Sequence, residues 1–533
     1  MQETKKQSFL HGALILSLAT ALVKIIGAVY KIPFQNMIST EAAGDYKIAY
    51  DIYATLFTIA TAGLPVAVSK MVSEAEVGRR TRESRRIFRV ALMTFVVIGV
   101  LGTAALFFGA DFWAAQMHAP NAAAAIRVIA PAVFFVAVMC AYRGFYQGQG
   151  DMVPTAVSQI IEASFKLVVG LAVAWAVVSA GGTQAMEAAG AMTGVTVGTV
   201  FGMLYMILSG RRRMARLPLG PGEQTVRAPR RIFGELMKIS VPITLSASVL
   251  GLTNLMDSAL VKGRLQSAAL LTGPETDRLF GVYSLATTLF ALPPAFILTL
   301  AVSIIPVVVA ARARQDKAGV NSTILSSLRI TGLLALPSAG GLTALSTPII
   351  NLLYGSSKSP EEVALAGSLL FTLGFSVLFV CLMSLTNSIL QSLGLVNIPV
   401  LTMLAGGLVK LVCNWLLVGN PEIGIQGAPI GTLGCYVTIS VLNLVVIARA
   451  AEVKGLLAVF AKPMVATGGM VLIVYGTYLL GEHLIGGRLA VIAAIALGVC
   501  AYGILLLLLR GILREDLLLI PKGEKLARLL RIR

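Results

Sequence analysis

Acidic residues are few in this chain: 25 Asp and Glu stand against 43 Lys and Arg in 533 residues, and charged residues of both signs make up only 13%. So little charge excludes a soluble globular domain, where roughly a quarter of residues are charged. Histidine is scarcer still, with His11, His118 and His483 in separate segments and no HExxH spacing, so a zinc hydrolase is excluded. The five cysteines, Cys140, Cys381, Cys413, Cys435 and Cys500, lie in apolar stretches without CxxC or Cys/His spacing. That removes a zinc site and a disulfide framework and leaves buried thiols. No P-loop Gly-Lys-Ser/Thr occurs, and in YQGQGDMVP Val153 stands where a dinucleotide fingerprint needs its third glycine. No catalytic residues, metal site or bound cofactor are expected.

What the chain has is apolar length. Hydrophobic residues make up 57% and the mean hydropathy is +0.85, which marks an all-α integral membrane protein. The net charge of +18 does not point to nucleic acid, because the basic residues fall between apolar segments instead of forming a face. The run after Lys5 and Lys6 is too long for a signal-peptide core and is expected to stay attached as the first span.

A crossing helix needs about 20 apolar residues. Fourteen windows qualify, near 8–35, 44–71, 87–110, 122–146, 154–179, 187–209, 236–262, 278–311, 322–350, 363–392, 397–418, 427–449, 459–480 and 488–510. Basic loops stay cytoplasmic. Arg79 to Arg89, Arg211 to Arg231, Arg312 to Lys317, Arg449 with Lys454 and the tail from Arg510 all fall on one side if both termini are inside, while GADFWAAQMHAPN and SAGGTQAMEAAG are nearly free of Lys and Arg.

An internal repeat organises the spans. A shift of 244 residues aligns Val133, Phe135, Val136, Met139, Gln147, Gly150, Lys166, Leu167 and Val168 with Val377, Phe379, Val380, Met383, Gln391, Gly394, Lys410, Leu411 and Val412. Earlier in each half, Gly44, Tyr46 and Ala49 match Gly281, Tyr283 and Ala286, and Ala67-Val68-Ser69 matches Ala301-Val302-Ser303. Parallel repeats imply two bundles related by an axis along the membrane normal, with a midplane site between them, which is a transporter's plan. The expected divisions are a six-helix lobe at 1–209, a basic linker at 210–235, a second six-helix lobe at 236–458, a final helix pair at 459–510 and a basic tail at 511–533.

Ionisable residues inside the spans are functional candidates. Lys24 and Lys31 stand two turns apart on one face of the first span, separated by Gly27 and Ala28, with Asp51 as a partner for Lys31. Tyr46, Tyr50, Tyr53 and Phe57 follow one side of the second span, as core or as a stacking surface. Glu162 precedes Lys166 by four residues, the favourable order for a local pair, and Lys410, the repeat mate of Lys166, has no acid near it in its span. Arg143 lies at the inner end of span four, where it either snorkels or lines a cavity; Asp257 and Lys262, with Asn254, sit near the outer end of span seven. Lys24, Lys31, Arg143, Lys166, Lys262 and Lys410 outnumber Asp51, Glu162 and Asp257, so a central cavity should be positive and suit an anion. A pump for cationic drugs needs the opposite sign.

The stretch FLHGALILSLATALVKIIGAVYKIPFQNMISTEAAGDYKIAYDIYATLFTIATAGLPVAVSKMVSE and the later run YRGFYQGQGDMVPTAVSQIIE resemble the stage V sporulation protein B branch of the polysaccharide transporters, relatives of the lipid II flippase MurJ. The resemblance implies the multidrug/oligosaccharidyl-lipid/polysaccharide exporter fold, a bacterial plasma-membrane location and flipping of an undecaprenyl-pyrophosphate glycan. It implies that Lys24 and Lys31 hold the pyrophosphate and that the final helix pair forms a groove for the lipid tail. Membrane lipids and the cell-wall synthesis machinery are the implied partners. Where Gram-negative MurJ proteins carry an arginine in span two, this chain offers Lys47, Asp51 and Lys70; where some bind sodium, Asp257 and Asn414 stand with Lys410. Coupling to the membrane potential or a monovalent cation is therefore an open expectation. Export of a capsule or O-unit precursor, or a scaffold role in wall or spore-cortex assembly, is the alternative.

Overall fold

The computed structural model describes residues 2–78, 80–216, 226–295, 297, 316–453, 455–511 and 513. Among them every regular element is a helix. The first ten are α1 (Gln2–Met37), α2 (Thr40–Thr61), α3 (Leu64–Val77), α4 (Thr81–Phe108), α5 (Ala110–Gln116), α6 (Ala122–Gly148), α7 (Val153–Ser179), α8 (Gln184–Arg216), α9 (Pro229–Ser267) and α10 (Gly273–Phe290). Then come α11 (Lys317–Ala344), α12 (Ser346–Tyr354), α13 (Pro360–Ser392), α14 (Ile398–Leu417), α15 (Gly427–Ala450), α16 (Ala461–Ile485) and α17 (Gly487–Leu508).

Length and hydropathy single out 11 crossing helices among the described residues, or 12 when α11 and α12, which meet at 75°, count as one broken span. The break has a local cause: Pro348 in the first turn of α12 has no N–H to continue the α11 ladder. Pro65 follows a slighter interruption between α2 and α3, which together count as one span, Thr40–Val77. The expected span 8–35 lies within α1, whereas 278–311 falls on α10 and then runs outside the described residues. Arg79, Lys454, the repeat match Ala301-Val302-Ser303, Arg312 and Arg314, the centre of the 210–235 linker and nearly all of the 511–533 tail also lie outside them.

Two compact units divide the chain, residues 1–266 with 271–281 and residues 267–270 with 282–533. The first takes in most of α9, which the sequence division at 236 assigns to the second lobe. It does so because α9 lies along α2 and α3: Gly63 abuts Ser240, Thr55 Oγ1 donates to Gly251 O at 3.2 Å, and Ser258 Oγ donates to Asp51 Oδ2 at 3.0 Å. The first unit's core gathers Ala67, Val68, Met71, Phe95, Phe145 and Tyr146.

The repeat is visible in local conformation. Gly150 and Gly394, aligned by the 244-residue shift, both adopt left-handed backbone, with φ of 79° and 76°. Each amide donates to the carbonyl of a matched glutamine, Gln147 or Gln391, at 3.0 Å, so α6 and α13 end in the same turn. The other aligned glycines, Gly44 and Gly281, face each other. A Cβ on Gly44 would stand 2.9 Å from the Asp277 carbonyl, and one on Gly281 would meet the Thr40 carbonyl, a reciprocal contact like that across a two-fold axis.

Of the cysteines, Cys140, Cys381 and Cys435 are buried as expected. Cys413 is half-buried and Cys500 exposed, a correction with a simple reason: on apolar membrane helices a thiol behaves as a small hydrophobe and needs no core.

Candidate functional site

A glycine ladder on α8 sets the geometry of α7. Gly194 and Gly198 lie against α7 backbone, where their Cβ atoms would stand 2.6 Å from the Lys166 carbonyl and 2.5 Å from the Glu162 carbonyl. No side chain fits between the two helices there. The side chains of Glu162 and Lys166 instead line a cavity of about 120 Å³ with Tyr50, Tyr53, Ala54, Phe57 and Val195.

Aromatic rings run along it. Tyr30 and Phe34 of α1 stack at 5.3 Å, Phe34 meets Tyr46 at 4.5 Å, and Tyr46, Tyr50, Tyr53 and Phe57 follow on α2 at 6.0, 6.0 and 5.9 Å. Tyr46 and Tyr53 are buried, as a core role expects, and Tyr50, Tyr53 and Phe57 face the cavity.

The charges pair differently from the sequence expectation. Glu162 does not hold Lys166; its Oε2 accepts from Arg143 Nη2 of α6 at 3.2 Å, and Arg143 Nε donates to Ser158 Oγ at 3.1 Å. Arg143, only 7% exposed, is thus fixed inside the unit and does not snorkel. Asp51 does not hold Lys31; it accepts from Lys47 Nζ at 2.6 Å. Two neutral pairs result, and two lysines are left over. Lys166 Nζ sits 4.7 Å from the centre of the Tyr50 ring and 5.4 Å from that of Tyr30, and Lys31 Nζ lies 5.9 Å from Tyr50. Among the described residues no carboxylate is within ion-pair distance of Lys31 or Lys166. The rings steady the ammonium groups without neutralising them, by about 0.5–2 kcal/mol each. The site therefore carries surplus positive charge at low dielectric, where an anion is held strongly.

The remaining candidates stand elsewhere. Lys24, half-buried, is two turns before Lys31 on α1; neither lines the cavity itself, and Lys31 reaches it only through the Tyr50 ring. Lys262 is a correction: it is fully buried in an ion pair with Asp277 and is withdrawn from the cavity. Asp257 is buried on α9. In the second unit Lys410 and Asn414 are buried on α14, at 7% and 0% exposure. The repeat explains why Lys410 has no acid on its own helix: Gly406 takes the place of Glu162. Asn387, in the place of Arg143, joins a neutral network in which Asn443 Nδ2 donates to Asn387 Oδ1 at 2.8 Å and to Thr386 Oγ1 at 2.9 Å. No cluster of three or more His, Cys, Asp and Glu side chains placed to hold a metal ion occurs among the described residues.

Sequence reading missed Tyr30 and Phe34, although Tyr30 adjoins Lys31. It also missed Asp277, which lies in the polar stretch TGPETDR ahead of a span. The second unit has its own concave feature, an apolar groove of about 380 Å³ bounded by Leu333, Pro337, Ile349, Met470, Ile495 and Tyr502 of α11, α12, α16 and α17.

Known proteins are similar to this chain in sequence and in fold. The chain is 25% identical over 445 residues to stage V sporulation protein B of Bacillus subtilis (strain 168), covering 83% of this chain and 84% of that one. It is 24% identical over 454 residues to lipid II flippase MurJ of the same organism, covering 83% and 82%. A solved structure of lipid II flippase MurJ in an inward closed conformation matches with a TM-score of 0.68 at 15% identity, over 92% of this chain and 98% of that one, which establishes the fold. The relatives of named activity are transporters and not enzymes. A model of the polysaccharide biosynthesis protein family matches residues 9–312, and the chain belongs to that family.

Proposed function

We propose that this multi-pass membrane protein flips a lipid-linked cell-wall precursor, an undecaprenyl-pyrophosphate glycan of the lipid II kind, from the inner to the outer leaflet by alternating access. The observation that carries the reading is the pair of surplus ammonium groups, Lys31 and Lys166, at one tyrosine ring. Two point charges held at an aromatic site suit a pyrophosphate and repel a cationic drug. Lys24 extends the same positive face along α1. Tyrosine rings offer stacking surfaces to sugar, and the apolar groove of the second unit has the chemistry to take a polyprenyl tail.

At about 120 Å³ the cavity admits a phosphate-sized anion or a few waters, whereas sites for whole ligands run to about 300–1,000 Å³. A glycan therefore needs the site to open, which alternating access supplies. The duplicated spans support two six-helix lobes as the moving parts, and the basic loops support cytoplasmic termini in a bacterial plasma membrane.

Native mass spectrometry tests the recognition step. Purified protein offered undecaprenol, undecaprenyl phosphate and pyrophosphate-linked disaccharide lipids together is expected to retain the pyrophosphate lipids preferentially. Equal retention of neutral undecaprenol contradicts the reading. Preference for a capsule or O-unit lipid over lipid II replaces the proposed glycan with the alternative one.

A further inference from the structure

We propose that Asp45, Asp277 and Lys262 form a binding site for one exchangeable monovalent cation, a proton or an alkali ion, separate from the tyrosine-lined cavity. All three side chains belong to the first unit and are buried, at 0%, 4% and 0% exposure. Lys262 of α9 is committed to Asp277 of α10 through their ion pair. Gln184 of α8 then holds two carboxylates side by side: its Nε2 donates to Asp45 Oδ2 at 2.7 Å and lies 3.4 Å from Asp277 Oδ2. Asp45 Oδ1 is buried without a hydrogen-bond partner among the described residues.

Two acids and one lysine leave a single negative charge. The charged groups that bear most on Asp45 are Asp277, Lys262 and Glu41 of its own helix, and Arg278, next to Asp277 on α10, has an interaction of its own. The neighbouring acid on α8, Glu187, is engaged with the Ser39 amide and hydroxyl, both at 2.7 Å. A buried carboxylate without a counter-charge is strongly disfavoured, and such a group either takes a proton or recruits a cation. Both ligands bring the same single positive charge to the same oxygen. A proton binds Asp45 Oδ1 directly. An alkali ion draws on the oxygens of Asp45 and Asp277 and on the Gln184 amide oxygen once that group turns over.

The site lies beside the reciprocal contact of Gly44 and Gly281, where α2 and α10 touch backbone to backbone. Without the cation, two like charges share that contact and loosen the first turns of α10; with it, they are held together. The cluster stands whatever molecule the protein transports.

Thermal unfolding of the full-length protein in nanodiscs, scanned over pH in choline chloride and over NaCl at constant pH and ionic strength, tests the proposal. The wild type is expected to be stabilised by falling pH if the ligand is a proton, with a protonated-carboxyl carbonyl band appearing in infrared difference spectra, or by NaCl over choline if it is an alkali ion. Asp45→Asn and Asp277→Asn each make the cluster neutral, so each is expected to lose the response, and the band vanishes in Asp45→Asn. Should Asp45→Asn fail to fold, Asp277→Asn carries the comparison. A wild type that responds to neither ligand, or a response unchanged in the folded variants, overturns the proposal. Because the readout is binding, these results are separable from whether any glycan is flipped.

Discussion

Lys166→Ala is expected to cut transport of a pyrophosphate-linked glycan by roughly 10- to 100-fold while leaving the protein folded. A hydrogen bond to a charged group contributes about 1.5–3 kcal/mol, and the lost interaction converts to that range of rate or affinity. The fold should tolerate the change because Lys166 holds no carboxylate: Glu162 is already paired with Arg143 at 3.2 Å. Truncation thus removes a charge from the cavity without stranding an acid. Lys166→Arg restores the charge but brings a planar fork into a cavity of about 120 Å³, so only partial recovery is expected. Initial rates of labelled-lipid movement with purified variants, alongside their unfolding temperatures, check both statements. A loss of transport that tracks a loss of folded protein would show Lys166 to be structural.

Lys262→Ala is expected to act in the opposite way, on stability first. Lys262 is fully buried against Asp277, so its removal strands a carboxylate beside Asp45. Breaking a buried pair from one side costs about 3–5 kcal/mol, much of which returns when both partners are replaced by apolar residues. The double variant Lys262→Met/Asp277→Leu should therefore unfold at a higher temperature than Lys262→Ala. Equal unfolding temperatures for wild type and Lys262→Ala would show that the pair contributes nothing.

These contrasting lysines show what the sequence reveals and what it hides. Apolar length was enough to place most of the helices, 11 or 12 of the fourteen expected spans among the described residues, because a crossing helix satisfies its own backbone and needs no distant partner to be recognised. The repeat was legible down to the left-handed Gly150 and Gly394, since a turn's conformation is local. The surplus of lysine over acid within the spans was legible too. Partner choice was not. The favourable order of Glu162 before Lys166 suggested a local pair, yet Arg143 arrives from α6 once the α8 glycines fix α7. The less favourable order of Lys47 before Asp51 is the pair that forms. Local rules are worth only a few tenths of a kcal/mol, and neighbours brought in by the fold outweigh them. Lys262 looked like a cavity residue because its partner, Asp277, lies in a polar segment that no search for membrane charges inspects.

The central claim is that the surplus ammonium groups at Tyr50 drive the movement of an anionic lipid. Its most direct test is transbilayer movement of labelled lipid II in liposomes containing the purified protein, compared with a Lys31→Ala/Lys166→Ala variant that keeps the wild-type unfolding temperature. The wild type is predicted to move lipid II well above protein-free liposomes and the double variant to fall to that background. Wild-type rates in the folded double variant would contradict the account.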